Sequence, residues 1–199
     1  RGKRSVTVDI TKPEGQEIVR ALARDADVVI ENYKVGGLKK YGLDYDSLSQ
    51  LNPRLVYCSI SGFGSAGGAE LPGYDLLVQA ESGLVAVSGA PGEWGRIGVS
   101  LCDITAGMNA IIGIQQALIQ RERTGRGSGV KVSLFGSAAE LMSVPYLQAR
   151  YGGKAPERLG LKHPSIAPYG GFTCADGRDI VISIQNEREW ADFCHIVLQ

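Results

Sequence analysis

Short apolar runs alternate with helix-type patterns along much of the chain. The runs over 27–30, 55–60 and 130–134 are rich in β-branched residues, and segments of helical periodicity lie between them. A further run, Ser5–Ile10, alternates like a strand and precedes a helix start at Pro13. Strands that alternate with helices form mainly parallel sheets, so we expect an α/β fold with a doubly wound sheet.

The longest apolar helix is predicted to follow Gly98 and to begin near Asp103. Small residues and large residues form separate stripes along it at helical spacing. The small stripe is Ala106, Ala110, Gly113 and Ala117, and the large stripe is Ile104, Met108, Ile111 and Leu118. A helix that is apolar on several faces is typical of a buried element, and small residues allow close contact with a sheet or a partner helix. We therefore expect this helix to be buried.

A change of pattern near residue 155 divides the chain. The segment Tyr151–Pro156 breaks the preceding helix, and a polar run follows it. Beyond it, Gly171–Cys174, a turn at Asp176-Gly177 and Asp179–Ile184 predict a β-hairpin. We predict a large sheet domain over 1–155, and over 156–199 a linker and the beginning of a smaller α+β domain.

Composition excludes several classes of partner. Basic and acidic residues balance at 21 each, which disfavours binding to nucleic acid or to an anionic membrane. No apolar run approaches the ~18 residues of a membrane span. The four cysteines are too far apart for a zinc site or a redox motif, so we predict no metal and reduced cysteines in a cytoplasmic protein. Anion binding would have to come from a local cluster.

Asp103 has two interpretations from the residues alone. A carboxylate at the start of an apolar helix usually caps it, and this interpretation is favoured. The alternative is a reactive carboxylate, because nearby glycines such as Gly98 and Gly107 would let a substrate approach. The helix amides would then keep Asp103 ionised and stabilise an oxyanion beside it. The neighbouring Cys102 is predicted to be a buried packing residue.

Three loops are further candidates for binding. Asn32, Tyr33 and Lys34 follow the strand 27–30 and offer an amide, an aromatic face and a cation, which suit a nucleotide phosphate and base. A solvated charged loop is the alternative. The glycine-rich loop 61–68 matches neither a P-loop nor a dinucleotide fingerprint. His163 lies on a third loop and is able to contact substrate, with no catalytic partner evident in the sequence.

Taken together, these stretches resemble the family III CoA-transferases, the CaiB/BaiF family. The matching segments are Arg1–Ser5, Asp25–Tyr33, Tyr41–Asp44, Asn52–Val56, Ser59–Gly64, Gly73–Asp75, Gln79–Gly83, Asp103–Gly107 and Thr124–Gly127. The resemblance implies a Rossmann-like CoA-binding large domain. It also implies coenzyme A as a substrate rather than a permanently bound cofactor, with acyl-CoA and small carboxylic acids as the reactants.

The resemblance also implies roles for individual residues. Asp103 would attack the donor thioester and become an aspartyl-CoA thioester, which passes CoA to an acceptor acid through an anhydride. Asp75 would be a supporting acidic group. The residues implied in CoA binding are Val8 at the adenine, Asn32, Tyr33 and Lys34 along the CoA, Lys40 and Tyr41 near the adenosine, and Tyr74.

Two departures from the family pattern narrow the function. The racemase branch has His-Asp where this chain has Tyr74-Asp75, which disfavours a 2-methylacyl-CoA isomerase. The formyl-CoA branch has a mobile glycine loop where this chain has His163–Ser165, which disfavours formyl and oxalyl substrates. CoA transfer from an acyl-CoA to a carboxylic acid is then the leading prediction, and the run 163–172 resembles the branch that moves CoA between dicarboxylic acids. A racemase-type isomerase and a truncated, non-catalytic CoA-binding remnant are the alternatives.

Family members are about twice as long as this chain. They form interlocked homodimers, so the resemblance implies such a dimer for the full-length form and a fragment here.

Overall fold

The computed structural model describes residues 2–198. Its sheet-forming part contains α1 (Pro13–Asp25), β1 (Val28–Glu31), a 3-10 turn (Lys39–Tyr41), α2 (Tyr45–Leu51), β2 (Val56–Ser61), α3 (Asp75–Glu81), α5 (Leu101–Thr124), β3 (Gly129–Ser133) and α6 (Leu134–Leu141). The remaining elements are α4 (Leu84–Val87), α7 (Ser143–Gly152), β4 (Tyr169–Thr173), β5 (Asp179–Ser183), α8 (Glu187–Phe193) and a π-helical turn (Cys194–Leu198).

Backbone contacts divide these elements into two compact units. The first comprises the described residues up to Ser82 together with Gly98–Ser143, and the second comprises Gly83–Ile97 with the described residues from Val144 onward. The domain division predicted at 155/156 stays a prediction. No helix within residues 2–198 is both long and apolar enough to cross a membrane.

The first unit contains a parallel sheet with the strand order β1-β2-β3. The central strand β2 pairs with β1 through Val28↔Val56 and with β3 through Cys58↔Val130. Crossover helices connect the strands, as parallel pairing requires. The predicted α/β class with a parallel sheet is therefore confirmed. Its strands end at the same edge, and the loops that leave this edge form the site described below.

The small-residue stripe of α5 faces the sheet. Ala106, Ala110 and Ala117 are buried, and the last two pack in a cluster with Val56 of β2. A Cβ atom added at Gly113 would lie 2.7 Å from Cγ1 of Val130 in β3. Atoms this close would overlap, so the glycine lets α5 lie directly on the strand.

The large-residue stripe of α5 does not match the prediction of a buried helix. Ile104, Met108 and Ile111 are 52–59% exposed, and only Leu118 of this stripe packs against the sheet cluster. The physical reason is that the described residues cover one face of α5. An apolar pattern predicts that a helix face is buried, but it does not indicate which surface covers that face.

The predicted strand Ser5–Ile10 is also wrong. These residues form no ladder with another strand among residues 2–198, and Val6 is 67% exposed. The segment instead ends in a turn, where Oδ1 of Asp9 accepts hydrogen bonds from the amide and the hydroxyl of Thr11. Alternation provides strand propensity, but a strand also needs a neighbouring backbone edge.

The second unit contains the predicted β-hairpin. Strands β4 and β5 pair antiparallel with the register Tyr169↔Ser183. Gly177 has φ +80° in the connecting turn, a conformation that favours glycine. In the same unit, Nη1 of Arg158 donates to the carbonyl of Ala86 at 3.3 Å.

Candidate active site

A cleft of about 930 Å³ lies at the carboxyl-terminal edge of the parallel sheet. The loop after β1, the loop after β2 and the first turns of α5 line it. It brings together five of the residues predicted from the sequence, which are Asn32, Tyr33, Lys34, Tyr74 and Asp103. Ligands of open α/β sheets bind at this edge, where loops from different strands converge.

Asp103 is the third residue of α5 and lies in its first turn. The N-cap residue is Ser100, whose side chain makes no capping hydrogen bond. The amides of Cys102 and Asp103 instead donate to Oδ1 of Asp75, at 2.8 and 3.3 Å. The carboxylate of Asp75, from the start of α3, therefore caps α5.

This geometry corrects the expectation that the helix amides hold the Asp103 carboxylate. Two of the free amides of the first turn are occupied by Asp75, and the amide of Ile104 donates to Ser100 within the helix. Within residues 2–198 no hydrogen bond to the carboxylate of Asp103 is present. The sequence could not show this, because the cap comes from a residue 28 positions earlier in the chain.

The electrostatics of the first turn favour a basic Asp103. Partial burial and the negative charge of Asp75 raise the pKa of the Asp103 carboxyl above its ordinary value. Burial and the charges of Asp75 and Asp103 raise the pKa of the Cys102 thiol to about 11. Cys102 is fully buried, so it is a protonated packing residue at neutral pH. A basic carboxylate is a better nucleophile than an ordinary one.

Asp75 has a second partner on its own helix. Its Oδ2 accepts a hydrogen bond of 2.7 Å from Nε2 of Gln79, whose side chain is fully buried. Gln79 is not among the site residues predicted from the sequence. The sequence signal for it is the spacing of four residues from Asp75, which places the two side chains on one face of α3.

The loop after β1 is positioned by two carboxylates. Oε2 of Glu31 accepts a hydrogen bond from the amide of Tyr33 at 2.8 Å. The ammonium group of Lys34 lies 2.6 Å from Oε2 of Glu70, which belongs to the loop after β2. Both partners are largely exposed, so this ion pair is weak and exchangeable. Lys34 can therefore leave Glu70 for an anionic ligand.

The loop after β2 is closed at its neck by two glycines. A Cβ atom added at Gly62 would lie 2.4 Å from Cα of Gly73, and one added at Gly73 would lie 2.3 Å from Cα of Gly62. A side chain at either position would overlap the other backbone, so the two segments can approach this closely only because both residues are glycine. Both glycines line the cleft, which gives the glycine-rich loop a place in the site.

The other predicted site residues lie outside the lining of the cleft. The Nζ atom of Lys40 lies 4.8 Å from the centroid of the Tyr41 ring, in the segment between β1 and α2. Val8 is half-buried and lies near Gly15 at the start of α1. His163 belongs to the second unit, where its Nδ1 accepts a hydrogen bond from the amide of Ser165. Among residues 2–198 no group of His, Cys, Asp and Glu is arranged to hold a metal ion.

Comparison with known proteins gives consistent matches. The whole chain, residues 1–199, matches the profile of CoA-transferase family III. It is 42% identical to a succinate–glutarate CoA-transferase of Agrobacterium fabrum, over 99% of this chain and 50% of that protein. It is 36% identical to an acetyl-CoA:oxalate CoA-transferase of Acetobacter aceti, over 99% of this chain and 51% of that protein.

A solved structure agrees with the sequence comparisons. The crystal structure of a CaiB/BaiF family protein from Brucella suis superposes with a TM-score of 0.88 at 43% identity, covering 98% of this chain and 52% of that one. The chain thus spans about half the length of the curated relatives it matches.

Proposed function

The chain belongs to CoA-transferase family III, and from this premise we propose that its protein moves CoA from an acyl-CoA to a carboxylic acid. The reaction is proposed to pass through a covalent thioester on Asp103. The observation that supports this most directly is a carboxylate in the cleft with a raised pKa and no hydrogen-bond donor among residues 2–198.

The proposed chemistry balances with no reactant besides the two substrates. The Asp103 carboxylate attacks the thioester carbonyl of the donor, and the CoA thiolate leaves to give a mixed anhydride. The thiolate then attacks the Asp103 carbonyl of this anhydride, which releases the donor acid and forms aspartyl-CoA. The acceptor carboxylate attacks aspartyl-CoA, and the released thiolate attacks the acceptor carbonyl of the second anhydride. The new acyl-CoA leaves and Asp103 is again a carboxylate.

The charge of Asp75 supports this sequence of steps. Conversion of Asp103 from a carboxylate to an anhydride or thioester removes a negative charge next to Asp75. Relief of this repulsion favours the covalent states relative to the free carboxylate. The buried and protonated Cys102 is a poor competitor, because a thiol attacks as its thiolate.

The cleft offers partners for the proposed CoA substrate. Lys34 can exchange Glu70 for a phosphate of CoA, and Asn32 and Tyr33 flank it on the same loop. Tyr74 is 73% exposed at the cleft, and the proposal places it against the CoA chain. Lys40, Tyr41 and Val8 are proposed to contact the adenosine end, and His163 the acid.

The acid substrates are proposed to be small dicarboxylic acids. The relatives from Agrobacterium fabrum and Acetobacter aceti are named for succinate and glutarate, and for oxalate. Each of these acids keeps one carboxylate charged when the other carries CoA. Because the relative from Acetobacter aceti is named for oxalate, oxalate is included among the acids to be tested.

The full-length form is proposed to be a homodimer. The exposed apolar stripe of α5, with Ile104, Met108 and Ile111, needs cover in water. Half of the length of the relatives lies outside this chain, so a second copy and the rest of the protein are the proposed sources of that cover.

The test is a transfer assay on the full-length protein that contains this chain. Succinyl-CoA is offered with glutarate, oxalate or acetate, and new acyl-CoA esters are separated by chromatography. Transfer that disappears in Asp103→Ala supports the proposal. Exchange of the C2 proton of a 2-methylacyl-CoA without transfer would indicate the isomerase, and binding of CoA without either reaction would indicate the non-catalytic remnant.

A further inference from the structure

A fully buried amide side chain lies behind the carboxylate that caps α5. Gln79 has no exposed surface, and its neighbour Val78 is equally buried. Burying an amide without a hydrogen bond costs about 1–3 kcal/mol, whereas an apolar side chain of similar size incurs no such cost. A glutamine at this position therefore needs polar partners, and one of them is Oδ2 of Asp75 at 2.7 Å.

The hydrogen bonds form a chain from the core to the first turn of α5, which carries Asp103. Gln79 donates to Oδ2 of Asp75, and Oδ1 of Asp75 accepts from the amides of Cys102 and Asp103. With one oxygen held by Gln79, the Asp75 carboxylate cannot rotate freely about its last bond. The other oxygen is thereby kept directed at the first turn of α5.

From this chain we infer that Gln79 is a positioning residue for Asp103, acting through Asp75. The inference rests on the proposed role of Asp103. Gln79 fixes the first turn of α5, and it keeps the amides of that turn on Asp75. The Asp103 carboxylate then remains available for attack on the thioester, which is the state that the reaction needs.

Loss of the Gln79 amide is expected to slow chemistry more than binding. If Asp75 turns away, the amides of Cys102 and Asp103 lose their acceptor and compete for the Asp103 carboxylate. A carboxylate that accepts amide hydrogen bonds is less basic and less nucleophilic. The cleft lining that is proposed to contact CoA includes neither Gln79 nor Asp75, so the KM for acyl-CoA should change little.

The test compares two equally buried neighbours on α3 in the full-length protein. Gln79→Met keeps the volume and removes the donor, whereas Val78→Ala removes apolar volume and leaves the hydrogen bonds. We expect Gln79→Met to lower kcat by roughly 10- to 100-fold with KM within about threefold, as for misplacement of a reacting group. We expect Val78→Ala to lower the melting temperature and to leave kcat within about twofold.

Two further variants make the result decisive. Gln79→Glu keeps the shape of the side chain and presents a carboxylate to Asp75, so it should lower kcat at least as much as Gln79→Met. It also provides the test if Gln79→Met folds poorly. A kcat within twofold of the parent in either Gln79 variant, or an equal loss in Val78→Ala, overturns the inference. Asp103→Ala separates the two proposals. If it retains transfer, the proposed function fails. If it abolishes transfer while Gln79→Met keeps kcat within about twofold of the parent, only this inference fails.

Discussion

Gly107 allows a test in which stability and activity should move in opposite directions. It lies one helical turn after Asp103, in the interior of α5, and it lines the cleft. A Cβ atom added there has no atom within 4 Å. Alanine should then stabilise the helix by about 0.8–1 kcal/mol, because glycine has the greater backbone freedom in the unfolded chain. For a cooperative unit of this chain's size that corresponds to a rise in melting temperature of about 2–4 °C, and to a smaller rise in the longer full-length protein.

The same methyl group occupies space beside the nucleophile. The acyl carbonyl must come close to Asp103, so we expect Gly107→Ala to lower the rate of CoA transfer about tenfold or more, as for a displaced substrate. The assays are a thermal melt and the transfer assay on the full-length protein. Unchanged transfer would refute the reasoning that this part of α5 faces the acyl group.

Gly113 is the matched control on the same helix. Its added Cβ would lie 2.7 Å from Cγ1 of Val130, so Gly113→Ala should overpack the sheet contact at a cost of about 1–3 kcal/mol. The gain in helix propensity offsets part of this cost. In a Val130→Ala background the overlap is removed, and Gly113→Ala should become stabilising by up to about 1 kcal/mol. A destabilising Gly107→Ala, or no change of sign at Gly113, would contradict the account of α5.

Three further predictions concern charges. The pKa of Asp103 is higher in the folded protein than in the unfolded chain. Ionised Asp103 therefore lowers the free energy of unfolding at a pH above the folded-state pKa, and it has no effect on stability at a pH below the unfolded-state pKa. Asp103→Asn should thus raise the urea midpoint of unfolding at pH 7 but not at pH 3. As the pH is lowered, the parent protein should lose transfer activity at a higher pH than that at which an ordinary aspartate protonates. Arg121→Met should cost about 2–3 kcal/mol in urea unfolding, because the buried guanidinium bonds Oδ1 of Asp27 at 2.9 Å and two backbone carbonyls. Lys34→Gln should weaken CoA binding about 3- to 10-fold by calorimetry, less in high salt.

The elements of the sheet were predictable because their signals are local. Short buried runs and turn signals place β2 and the hairpin of the second unit close to their observed bounds. The stripe of small residues correctly predicts the face of α5 that packs on the sheet. The strand at Ser5–Ile10 and the burial of Ile104 failed for one reason: each depends on a partner surface, and the sequence pattern does not name the partner.

Five of the predicted site residues line one cleft, and their role in catalysis or binding stays a prediction. The end of β1 places the loop containing Lys34 at this edge of the sheet, and the loop and the start of α5 both line the cleft. The assignment of the helix amides failed, because Asp75 occupies them from another helix. The spacing of four residues puts Gln79 on the same helix face as Asp75, but the sequence does not show that this amide is buried. The role of Asp103 as a nucleophile stays a prediction.

A covalent adduct at Asp103 is the most direct measure of that role. The full-length protein is incubated with succinyl-CoA in the absence of an acceptor acid, and its intact mass is measured. We expect a gain equal to CoA less one water, lost on addition of an acceptor. Hydroxylamine should convert the adduct to a hydroxamate that peptide mapping locates at Asp103, and Asp103→Ala should show neither product. Turnover without an adduct, or an adduct on any other residue, would contradict the account.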